Sequence, residues 1–107
     1  MDIPTPEVLA EVLLKTRHDK IVSDRIDYTV DVITTWIAKK LVWDEPHNSV
    51  LVERQDCQFI EHCPEWQTIV EEKVRDVCKA SGWAMTGSWK QSFDTYEFSY
   101  GLRKIEG

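Results

Sequence analysis

Apolar and polar positions alternate with period two near the end of the chain. Tyr96, Phe98, Tyr100 and Leu102 interleave with Thr95, Glu97, Ser99, Gly101 and Arg103. Alternation over that length predicts a strand with one apolar and one polar face. The aromatic run Trp83 to Trp89 precedes it, and a turn within Lys90 to Asp94 joins the two as an antiparallel hairpin. Upstream the period lengthens. Trp66, Ile69, Val70, Val74, Val77 and Cys78 recur at helical spacing and predict a buried stripe. Pro64 suits the first helical position, with Cys63 or His62 as cap and Glu65 in the first turn. Gly82 is the expected left-handed terminator.

The N-terminal region predicts two helices. Thr5 is a good cap, Pro6 fits the first turn, and Val8, Leu9, Val12 and Leu13 share one face of a helix reaching Arg17 or His18. Asp19 to Leu41 carries two periods at once. Ile26, Val30, Ile33, Ile37 and Leu41 step by three or four, while Tyr28, Val30, Val32, Thr34 and Trp36 step by two. Length decides for a helix, since strands this long are rare. Ser23 or Asp24 would cap it, and Lys39 and Lys40 would close it. Asp44 to Asn48 reads as a loop, Ser49 to Glu53 as a short strand, and Gln55 to His62 has no clear period. The expected fold is α+β, with one globular domain over residues 1–107. Two N-terminal helices precede a third helix packed on the C-terminal hairpin, and Ser49–Glu53 extends the hairpin to a small three-stranded sheet.

Composition narrows the function. With 42% hydrophobic and 30% charged residues the chain is not expected to be disordered, and its longest apolar runs are far short of the ~20 residues a membrane helix needs. At 107 residues it can bury roughly two-thirds of its unfolded surface, so it needs no disulfide or metal. The net charge of -6 repels phosphate backbones and disfavours nucleic acid as a partner. It suits a solvated surface or one that meets a basic protein. Met1 to Pro6 carries no basic residue, which is unlike a secretory signal, and the three cysteines, Cys57, Cys63 and Cys78, are an odd count. Both point to free thiols and a cytoplasmic location.

Candidate chemistry is sparse. Cys57, Glu61, His62 and Cys63 cluster, but Cys-x5-Cys spacing lacks the paired knuckle and the fourth ligand of a zinc site, so neither metal nor cofactor is expected. Cys63, at a helix start, is the first thiol to test for reactivity, and His18, His47 and His62 are the histidines a Cys–His pair would draw on. Asp24, Asp27 and Asp31 share a helix face and read as solvated surface. Gly82-x4-Gly87 precedes Ser-Trp, which is no phosphate loop.

Helices, a short strand, another helix and a terminal hairpin broadly resemble a winged helix, which would imply nucleic-acid binding. The predicted order departs from that family, whose first strand falls between the first two helices. The would-be recognition helix also carries Glu65, Glu71, Glu72 and Asp76 against Lys73, Arg75 and Lys79. The compact, acidic, tryptophan-rich build is similar in style to small phage and mobile-element accessory proteins. The expected function is therefore non-catalytic protein binding, as an inhibitor or adaptor, with a homo-oligomer also open. A small enzyme without a recognisable motif is a further alternative. Five tryptophans exceed what a core this size needs, and Trp43 and Trp89, at element ends, are the expected partner-binding residues.

Overall fold

A computed structural model describes residues 5–58 and 60–105. It is α+β, with helices against one face of a three-stranded antiparallel sheet. Helix α1 spans Pro6–Val42, 37 residues without interruption. This corrects the expected pair of N-terminal helices. The stretch between His18 and Ser23 contains neither Pro nor Gly, so nothing in the backbone stops the first helix before the second begins. Thr5 caps the start, its Oγ1 accepting from the Val8 amide at 3.3 Å. At the far end Asp44 takes a positive φ of 59° and its amide donates to the Leu41 carbonyl, which closes the last turn. At 1.5 Å per residue α1 is about 55 Å long, and it sets the 58 Å long dimension of the molecule. The face predicted from Leu9, Val12 and Leu13 lies outside the described side chains.

Ser23 and Asp24, the expected caps, are exposed interior residues of α1. The two arrangements differ in the sign of one substitution. In a helix interior Ser23→Ala should stabilise by up to about 0.5 kcal/mol, because alanine is the better helix former. At an N-cap the same change would cost about 1 kcal/mol. Urea denaturation of the variant should therefore give a midpoint at or above that of the wild type. A clear drop would restore the two-helix arrangement.

The sheet contains β1 (His47–Glu53), β2 (Trp83–Gln91) and β3 (Thr95–Lys104), in the order β1-β3-β2. Val50 lies opposite Phe98, and Phe98 opposite Trp89. Between β1 and β2 in sequence come a single helical turn α2 (Arg54–Cys57), a 3₁₀ turn (Ile60–His62) and helix α3 (Trp66–Ala80). The first two occupy the stretch without sequence periodicity, Gln55 to His62. The two short turns carry Cys57 and Ile60 into the core, each with no exposed surface. Helix α3 begins after the expected Pro64, because Cys63 to Glu65 form a turn in which the Trp66 amide donates to the Cys63 carbonyl. Gly82 ends it at a φ of 87°.

The core lies between the sheet and the helices. Ile26, Ile33 and Ile37 of α1 and Trp66, Val70, Val74 and Cys78 of α3 meet Val50, Val52, Met85, Tyr96, Phe98, Tyr100 and Leu102. Val77, expected in the stripe, is 46% exposed. Helix α3 packs on α1 and on β2 rather than squarely over both strands of the hairpin. The other face of the sheet presents mostly small or polar residues, with Ser49, Ser99 and Ser88 in one row and His47, Gly101 and Thr86 in the next, and an exposed Leu51 in the row of Glu97 and Lys90.

Candidate binding groove

The notable surface feature is a groove of about 630 Å³ between α1 and β1. Its helix wall is Tyr28, Asp31, Val32, Thr35, Trp36 and Lys39, and its strand wall is Ser49, Val50 and Leu51. Tyr28, Val32, Trp36 and Lys39 fall at i, i+4, i+8 and i+11, so they form one stripe on the helix. This stripe is separate from the core stripe of Ile26, Ile33 and Ile37. Two adjacent apolar stripes on one helix explain the mixed periodicity of this segment. Tyr28 is 51% exposed and Leu51 is 62% exposed. The Lys40 ammonium stands 4.7 Å from the Trp36 ring centroid, with Lys39 at 6.0 Å, and Lys40 also pairs with Glu45 at 3.6 Å. Both distances are within cation–π range of the ring.

The strand wall is an open sheet edge. Among the described residues β1 has β3 on one side and no strand on the other. The Leu102 amide donates to the Pro46 carbonyl and the Arg54 amide to the Asp94 carbonyl, each at 2.9 Å, and these two bonds fix the phase of the ladder. Antiparallel alternation then turns the backbone groups of Asn48, Val50 and Val52 toward β3. Those of His47, Ser49, Leu51 and Glu53 point away from the sheet. The Ser49 amide donates to its neighbour, Asn48 Oδ1, at 2.7 Å. The opposite edge is tended differently. Arg75 Nε of α3 reaches the Met85 carbonyl on β2 at 3.5 Å.

The two expected tryptophans are placed differently. Trp43 terminates α1 and is 71% exposed beside Val42, which is 85% exposed. By helical spacing it continues the stripe of Val32, Trp36 and Lys39 by one turn. Trp89 is half-buried in an aromatic cluster, edge-on to Trp66 at 5.1 Å and tilted on Phe98 at 4.9 Å. Its Nε1 is buried with no hydrogen-bond partner. Position at the end of an element suggested both residues. Only the cross-strand partners of Trp89, invisible in sequence spacing, separate the two. The groove itself was not anticipated. Its signal was the second stripe through Tyr28, Val32 and Trp36.

The remaining polar groups form a separate cluster. Tyr96 donates its phenol to Glu61 Oε1 at 2.7 Å, and Arg54 Nε donates to the same oxygen at 3.0 Å. Burial, then the Glu61 contact, raises the Tyr96 phenol above its ordinary range. Nearby Cys57 is pushed up to about 12, chiefly by burial, with Asp56 and Glu61 adding to it. Such a thiol stays protonated at neutral pH and is a poor nucleophile. Burial likewise raises Cys78. Cys63 is half-buried and all three cysteines are free. Among the described residues no group of three His, Cys, Asp or Glu is placed to hold a metal, and no helix is long and apolar enough to cross a membrane. The side chains of His18 and His62 lie outside the described ones. Asp24, Asp27 and Asp31 are exposed; Asp27 pairs with Lys73 of α3 at 3.0 Å, and Asp31 lines the groove. No family model, curated protein or solved structure matches the chain.

Proposed function

We propose that this chain is a non-catalytic protein-binding module that takes up an extended segment along the free edge of β1. The observation that carries this reading is the groove, where an apolar helix wall runs beside a strand edge whose backbone groups face outward. Strand addition uses such an edge for main-chain hydrogen bonds, and an adjoining groove for alternate side chains. Tyr28, Val32 and Trp36 would receive the apolar side chains of the segment, and Trp43 would extend the contact past the end of the groove. Trp89, already engaged with Trp66 and Phe98, has no part in it. An inhibitor or an adaptor of cytoplasmic proteins would work in this way, and the net charge of -6 favours a basic protein as target.

The test is selection of random extended peptides against the purified chain. Peptides with alternate apolar positions should emerge, and their binding should be lost on Leu51→Pro. That change removes an outward N–H while leaving the pairing of β1 with β3 in place. Trp43→Ala should weaken the same peptides by more than about 1 kcal/mol. Selected peptides that bind both variants as well as the wild type would defeat the proposal.

A second reading is favoured by one observation. With a single N-terminal helix, β1 falls between the first two helices, the order expected of a winged helix. Charge weighs against nucleic acid as its ligand. On α3 Lys73 is paired with Asp27 and Arg75 with Glu71, each at 3.0 Å, so two of its cations are already matched by carboxylates. Salt-sensitive retention of DNA or RNA at physiological ionic strength would reverse that ranking.

A further inference from the structure

The strand that fits the β1 edge is β1 itself: we infer that a second copy of this chain pairs with it, antiparallel, about a two-fold axis at Val50. This inference rests on the strand-addition reading above and names the partner. The register follows from the strand. His47–Glu53 is centred on Val50, and its outward backbone positions are His47, Ser49, Leu51 and Glu53. About that axis Ser49 of each copy meets Leu51 of the other, and His47 meets Glu53. All four outward residues then exchange both backbone hydrogen bonds, with none left over at either end. Centring the axis on Ser49 or Leu51 instead leaves part of the edge unpaired.

The side chains agree with this register. His47 and Glu53 are both exposed on the outer face of the sheet, so each strand end sets a histidine opposite a glutamate of its mate; the imidazole lies over Gly101 and turns outward to meet the carboxylate. In the groove, Asp31 is the lining acid and Lys39 the lining base, toward opposite ends of the helix wall. A two-fold through Val50 reverses one groove against the other and turns the acidic end of each toward the basic end of its mate. Tyr28, more than half exposed in the groove, comes under cover, and Leu51 meets the partner's Ser49 on the outer face of the sheet. Among the described residues, Gln55 Nε2 donates to Glu53 Oε2 and must release it, and the outward Ser49 amide is held by a bond to Asn48 Oδ1. The latter bond joins neighbouring residues through a side chain that can rotate away, and a partner's carbonyl replaces it. The contact is isologous and closes at two copies, forming a six-stranded sheet with both α1 helices on one side.

Sedimentation over a range of concentrations reads the assembly directly. The wild type should sediment as a dimer, with a thermal midpoint that rises with concentration, and Leu51→Pro as a folded monomer whose midpoint does not. Each copy carries a net -6, so added salt should favour the dimer by screening repulsion. Salt would act oppositely on a complex with a basic protein. The register is read by the double variant His47→Cys, Glu53→Cys. Hydrogen-bonded pairs sit about 5.5 Å apart at Cα, within disulfide reach, so mild oxidation should give a covalent dimer that neither single variant gives. Should Leu51→Pro not fold, His47→Glu serves in its place, since it sets like charges opposite each other. It should weaken the dimer, and adding Glu53→Lys should restore it. A wild type that stays monomeric at every concentration overturns the inference. So does a dimer that survives Leu51→Pro and shows no cross-link. If the monomer still takes selected peptides in a manner abolished by Leu51→Pro, self-pairing alone has failed. If those peptides also ignore Leu51→Pro, the groove reading has failed with it.

Discussion

Replacing Phe98 by alanine should lower the unfolding free energy by about 3–5 kcal/mol, as large buried truncations do. Phe98 has no exposed surface. It lies on the central strand, opposite Val50 on one side and Trp89 on the other. Its ring lies 4.9 Å from that of Trp89 and 6.5 Å from that of Tyr100. Trp66 closes the row from α3, edge-on to both Trp89 and Tyr96 at 5.1 Å. Deleting the ring leaves a cavity whose walls belong to three strands and a helix, so no single element can move in to fill it. Urea denaturation should show a lower midpoint with an unchanged slope. A midpoint equal to that of the wild type would mean that Phe98 is not the centre of the core.

The C-terminal half of the fold was legible because its signals are local. Period two over Thr95–Arg103 needs only the residues themselves, and Gly82 marks the helix end by a backbone conformation other residues avoid. The N-terminal half was harder for a definite reason. Ser23 and Asp24 are good caps, and they are also tolerated on the wet side of a helix, so their presence cannot say which role they fill. Only the absence of a breaker before them, combined with Val22 and Ile26 packing on the core, makes the helix continuous. The stretch after Glu53 hid its structure because a single helical turn and a 3₁₀ turn are shorter than any period. The groove was hidden differently. It depends on which edge of the sheet β1 occupies, and the order β1-β3-β2 is a long-range fact that no spacing within β1 encodes. The same limit applies to Trp43 and Trp89. Both lie at element ends, yet one ends a helix in solvent and the other sits opposite Phe98.

Gly87→Ala should destabilise the protein by about 1–3 kcal/mol, although alanine is ordinarily the better strand residue. A Cβ at Gly87 would stand 2.5 Å from Cζ and 2.7 Å from Cε2 of Phe98. A ring tip at a surface would swing aside at little cost. This one cannot, because Phe98 is wholly buried between Trp89 and Tyr100. The added methyl therefore forces either the ring from its rotamer or β2 from β3. Restricting the unfolded chain would favour alanine by about 0.4–1 kcal/mol, which the overlap more than cancels. The cause can be isolated by pairing the change with Phe98→Leu, whose shorter side chain vacates the space the methyl needs. The double variant should be more stable than the sum of the single changes by about 0.5–3 kcal/mol, the range found for residues in contact. Strict additivity of the two changes in chemical denaturation would show that the ring is not what Gly87 accommodates, and the tight seat of Phe98 would then have to be abandoned.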